Sequence, residues 1–144
     1  VSYESVEASL ASLLKRISNL EVALNDGTRI PTGKQKLAIL KYGGFTQERH
    51  SGGGEHKLTW SIEIQVMCRY TTDINTRNLL RDTRMDILNQ VNKYPLLNAN
   101  ATVFDAFITE GTPGDEQVQI GSISYLTEML TCRVEELISV TYLE

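Results

Sequence analysis

From Leu58 to Tyr70 the chain alternates without a break. Leu58, Trp60, Ile62, Ile64, Val66, Cys68 and Tyr70 fall on one face, and Lys57, Thr59, Ser61, Glu63, Gln65, Met67 and Arg69 on the other. Side chains of a strand point to opposite faces in turn, so this period predicts a strand with one buried and one wet face. At ~3.4 Å per residue it reaches roughly 40 Å, longer than a small core requires. Upstream, Ala38, Leu40 and Tyr42 alternate in the same way and then change phase at Gly43-Gly44, where a bulge supplies the extra residue. The pattern predicts a long β-hairpin over about 37–70 with its tip at Ser51-Gly52-Gly53-Gly54. In the expected register Ala38, Leu40 and Tyr42 face Cys68, Val66 and Ile64, Phe45 meets Trp60, and Glu48 lies opposite Lys57.

Helical spacing appears on either side. Val6, Leu10, Leu13, Leu14, Ile17 and Leu20 make one apolar stripe, which predicts a helix over about 3–20 with Ser2 as its N-cap. Asp73 is the expected N-cap of a second helix over about 73–93, with Leu79, Leu80, Ile87, Leu88 and Val91 inward and Tyr94-Pro95 as the stop. Leu96 and Leu97 are expected to tuck beneath it. Strands follow over about 102–142: Thr102–Glu110, a turn at Gly111–Asp115, a short strand or arm at Val118–Gly121, then Ile123–Val134 and an extended tail. The last strands carry apolar residues on both faces, which calls for cover on both sides. The fold class is therefore α+β. A mostly antiparallel sheet with a long β-hairpin is packed by two helices, in the order α-β-β-α-β-β and as a single domain over 1–144.

Composition narrows the functional classes. A chain of 144 residues can bury a proper core. Its net charge of −4 argues against a sequence-independent nucleic-acid binder, which carries a basic excess. Arg77, Arg81, Arg84 and Lys93 sit on the second helix, but Asp82 and Asp86 are interleaved with them, so that face reads as salt-bridged. The two cysteines, Cys68 and Cys132, lie inside strand patterns and lack paired ligand spacing; they read as small buried residues in a reducing compartment. No charged-then-apolar leader and no membrane-length apolar run is seen, so the expectation is an intracellularly made, soluble protein.

Catalytic chemistry is absent from the pattern. Gly27 through Gly33-Lys34 resembles a phosphate loop only loosely: the glycine spacing is wrong, Pro31 intervenes, and Gln35 stands where a hydroxyl should be. His50 and His56 flank the tip but lack a third ligand and a rigid support, so no metal site is expected. Glu110, Asp115 and Glu116 cluster on a turn without a partner, and Glu135-Glu136 reads as solvated charge. No catalytic residue, cofactor or metal is expected, and the chain is not expected to be an enzyme.

The order helix, long hairpin, helix, strands resembles the lambda-type tail terminator proteins of long-tailed bacteriophages. The resemblance covers nearly the whole chain as pattern and length, with no short motif. It implies a homo-hexameric ring that caps the tail tube, stops its polymerisation and offers the docking surface for the head–tail connector or stopper protein. DNA would pass through the lumen without sequence-specific binding, no membrane would be involved, and the protein would sit in the virion tail or neck after assembly in the host cytoplasm. The alternatives are another phage neck or stopper component and, from a different class, a small α+β ligand-binding module. The upper half of the hairpin lacks an obvious partner within the chain, so Phe45, Glu48, Arg49, Ser51, Gly52, Gly53, Gly54, His56 and Lys57 are the expected subunit or partner interface.

Overall fold

A computed structural model describes residues 3–24, 35–49, 55–97, 102–114, 117–120 and 122–139. Among them are two helices, α1 (Tyr3–Leu14) and α2 (Asp73–Lys93), and six strands: β1 (Leu20–Leu24), β2 (Lys36–Arg49), β3 (Glu55–Arg69), β4 (Val103–Pro113), β5 (Val118–Ile120) and β6 (Ile123–Ser139). They form one mixed, mostly antiparallel sheet in the order β1-β2-β3-β6-β4, with β5 paired to β6 beside the end of β4. The fold is α+β. Its order is α-β-β-β-α-β-β-β, which corrects the simpler plan by adding β1 and β5.

The addition of β1 follows from how α1 ends. The helix stops at Leu14, not near 20. Arg16 N–H bonds to Leu13 O and Ile17 N–H to Leu14 O, which tightens the last turn. Asn19 then takes φ 62°, a left-handed conformation that asparagine tolerates. Leu20 is buried and fits the helical stripe, but it does so as the first residue of a strand. Leu20–Leu24 runs parallel to Lys36–Leu40, and Lys36 Nζ caps Ser18 O at 3.0 Å.

β3 pairs with β2 on one side and with β6 on the other along its full length, Glu55↔Ser139 to Arg69↔Tyr125. The predicted pairs Phe45↔Trp60 and Glu48↔Lys57 are present. Below the glycines the register differs: Ala38, Leu40 and Tyr42 face Val66, Ile64 and Ile62. The bulge is at Gly43-Gly44 as predicted, with its extra residue on β2, while the lower pairs lie two positions from the expected ones along β3. Gly44 has φ +103°, which disfavours any residue with a Cβ, and a Cβ at Gly43 would come within 3.0 Å of Ser61 O.

Both helices pack on one sheet face. Val6, Leu10, Leu13 and Leu14 of α1 and Ile87 and Val91 of α2 meet Leu58, Trp60, Ile62, Ile64 and Val66 of β3 and Leu130, Cys132 and Val134 of β6. The N-cap of α2 is Thr72, whose hydroxyl accepts from Asn75 N–H at 3.2 Å; Asp73 is the first helical residue. The fully buried line of α2 is Thr76, Thr83, Ile87 and Val91, with Leu79, Leu80 and Leu88 half-buried beside it. Leu97 is buried and Leu96 exposed, so one of the two expected leucines tucks in. β4 runs through Gly111 to Pro113, past the expected turn, because an edge strand can lose one N–H. A second cluster on the opposite face, Leu37, Ile39, Met67 and Tyr125, is flanked by Ala23, Val118 and Ile123. Met67 is thus buried on the face expected to be wet. Gly27 to Lys34, Asp115, Glu116, Gly121 and the tail after Ser139 lie outside the described residues, as do Ser2, His50 and Ser51–Gly54.

Candidate interaction surface

Among the described residues β1 covers β2 only from Lys36 to Leu40, and no described strand pairs with the outer edge of β2 from Lys41 to Arg49. An open strand edge presents unpaired N–H and C=O groups that another strand can meet. On its helix-side face this stretch carries Tyr42 and Phe45, 54% and 53% exposed. Large aromatics are normally drawn into the core, so two on an open edge mark a contact surface.

The aromatics rest on a fixed base. Phe45 stacks on Trp60 at 5.4 Å between ring centroids, and Tyr3 of α1 meets Trp60 at 5.6 Å and Tyr42 at 4.8 Å, both edge-on. Trp60 is nearly buried, and its Nε1–H donates to Glu136 Oε1 at 3.0 Å. The other Glu136 oxygen accepts from the Thr102 hydroxyl at 2.5 Å. A buried carboxylate with both oxygens bonded fixes the indole on which the exposed rings sit. Tyr3 donates to Glu7 Oε2 at 2.7 Å, and burial together with that acidic neighbour pushes its hydroxyl far above the ordinary phenol range.

Glu136 corrects the expectation of solvated charge at Glu135-Glu136: it is fully buried. Sequence parity carried the signal. Leu126, Leu130, Cys132 and Val134 define the core face of β6, and Glu128 and Glu136 share their parity. Glu135, on the other face, bonds Lys57 Nζ at 3.3 Å, and Glu48 bonds the same nitrogen at 3.3 Å. These two contacts, Glu135 first, raise the Lys57 pKa. The triad ties β2, β3 and β6 together across the face away from the helices.

Of the residues expected at the interface, Phe45, Glu48 and Arg49 lie on the open edge of β2, and Lys57 lies one strand inward in the triad. His56 faces Arg49, and its Nδ1 is 2.9 Å from Gln47 Nε2, while its shielded Nε2 has no partner. Ser51, Gly52, Gly53 and Gly54 lie outside the described residues. One expectation is overturned here. The upper half of β3 has a partner within the chain, because β6 continues beside it to Ser139.

Arg77, Arg81 and Arg84 line an open groove of about 220 Å³ with Leu80, Pro113 and Leu126. Each arginine is matched: Arg77 to Asp73 at 3.1 Å, Arg81 to Asp82 at 3.3 Å, and Arg84 to both oxygens of the buried Glu128 at 3.1 Å. Among the described residues no group of three or more His, Cys, Asp or Glu is arranged to hold a metal, and no helix is long and apolar enough to cross a membrane. Cys68 and Cys132 are free and buried, and burial pushes their thiols up to about 11 and about 12.

Compared with known proteins, the chain matches no protein-family model, and no curated protein matches it in sequence.

Proposed function

We propose that this chain is a structural virion protein, a tail terminator of a long-tailed bacteriophage. Six copies form a ring that caps the tail tube, stops its growth and receives the head–tail connector. The observation that carries the reading is that, among the described residues, the sheet ends in two unlike edges without a strand partner, the aromatic-bearing edge of β2 and the edge of β4. A closed ring needs heterologous contacts, one surface of each subunit against a different surface of the next. A two-fold dimer would use one patch twice. In this reading the chain acts as a single domain, β2 and β3 are the arms of one long hairpin, and that end of the subunit meets a neighbour or the ring's axial partners.

The role is mechanical, so no catalytic residue is assigned. The net charge of −4 suits a lumen through which DNA slides without being held. The ligand-binding alternative draws little support from the groove beside Arg77, Arg81 and Arg84, because these arginines are already paired and it lies open. Electron microscopy of the purified protein, alone and with tail tubes, tests the reading. Six-fold rings with a central hole that seat on tube ends are expected. A monomer across micromolar concentrations in light scattering, with no decoration of tubes, would sink it.

A further inference from the structure

We propose that the edge of β2 from Lys41 to Gln47 pairs antiparallel with the edge of β4 from Val103 to Glu110 of a second copy, so that the sheet continues from subunit to subunit. This rests on the ring reading above and names the surface that closes the ring.

Height across the sheet is the first reason. The registers place Phe45, Trp60, Val134 and Ala106 in one row, and Tyr42, Ile62, Cys132 and Ile108 in another. The open stretch of β2 is therefore level with the upper part of β4, and a neighbour related by rotation alone meets it without an axial step. Direction is the second. β2 is antiparallel to β3, β3 to β6 and β6 to β4, so β2 and β4 point opposite ways. A neighbour's β4 then arrives antiparallel to β2. Adjacent strands are rotated by about 20–25° on average and rarely beyond about 35°, less than the turn between neighbours in a hexamer, so the ring axis runs nearly along the strands.

Charge and shape agree with this pairing. Lys41, Glu63, Thr131 and Glu110 share a row, which sets Lys41 against the Glu110 of the next copy. Neither is in an ion pair among the described residues. The exposed Tyr42 and Phe45 on one edge find the exposed Phe104 on the other. Below this stretch β1 already occupies the edge of β2, and there β4 ends in Pro113, which lacks an N–H to pair.

The test uses Thr46 and Asp105, which share a row and lie on the face away from the helices. Facing strand residues come within disulfide reach, and the native Cys68 and Cys132 are buried, so the background is quiet. A Thr46→Cys/Asp105→Cys variant, oxidised in dilute solution, should give a covalent ladder ending at the hexamer. Thr46→Cys/Asp82→Cys, with the second cysteine on exposed α2, should not. In the parent protein the outward amides of Lys41–Gln47 should exchange about tenfold or more slowly in rings than in dissociated subunits. Rings seen by microscopy with neither the ladder nor the protection would overturn this pairing and leave the ring reading standing. No rings at all would overturn both.

Discussion

Glu136 shows how much rests on one side chain. Its oxygens accept from the buried Trp60 Nε1 and from the hydroxyl of the exposed Thr102. Removing the acceptor strands the buried Trp60 N–H, at a cost of about 1–3 kcal/mol less any relief from burying a carboxylate. Glu136→Leu is expected to lower stability by about 1–3 kcal/mol, and Glu136→Gln by less, because one acceptor oxygen remains. Trp60 is the only tryptophan, so its fluorescence in a urea titration reads this directly. An unchanged midpoint for Glu136→Leu would show that the bonds contribute nothing. The cysteines make a second residue-scale prediction. Their ordinary value is 9.0, and burial raises Cys132 to about 12 and Cys68 to about 11. Above pH 9 the unfolded chain releases thiol protons that the folded chain keeps, so stability falls as pH rises. The fall should be shallower in Cys132→Ala, and in the parent neither thiol should react with an aromatic disulfide reagent before unfolding.

At the scale of elements, the β2 bulge sets both register and exposure. Gly44 sits at φ +103° with open space around it, so Gly44→Ala costs through the backbone alone, about 1–3 kcal/mol. The same measurement by urea titration applies, and a neutral result would mean that β2 can shed the bulge. Because β3 is held by β6 up to Glu55↔Ser139, the top of the sheet does not depend on the connection between β2 and β3. Replacing Ser51–Gly54 with a two-residue turn should therefore leave the urea midpoint near the parent value while weakening ring formation in light scattering. Loss of folding would show that the connection serves the subunit itself.

For the whole molecule, the proposed ring would close through the two unlike edges. Phe45 is half exposed and rests on Trp60, so Phe45→Asp should spare most of the fold while placing a charge against the neighbour's edge. A desolvated contact of this kind is worth roughly 1.4 kcal/mol or more, which is tenfold in dissociation. Sedimentation of the variant should show rings dissociating at concentrations about tenfold or more above those of the parent. Equal assembly would remove the aromatic patch from the interface.

The sequence by itself determined whatever depends on period and parity. The strand over Leu58–Tyr70, the helix ending at Lys93, the bulge at Gly43-Gly44 and the pairs Phe45↔Trp60 and Glu48↔Lys57 were all legible, because each is a local repeat or its direct consequence. What only the tertiary structure decided is where two local answers compete or where a partner is distant in the chain. Leu20 satisfies a helical stripe and a strand equally, and β2 resolves the choice by offering Lys36–Leu40 as an edge. Glu136 looks solvated beside Glu135 until Trp60 and Thr102, far off in sequence, arrive to bond it. A carboxylate is buried only where its donors converge, and that convergence exists only in three dimensions.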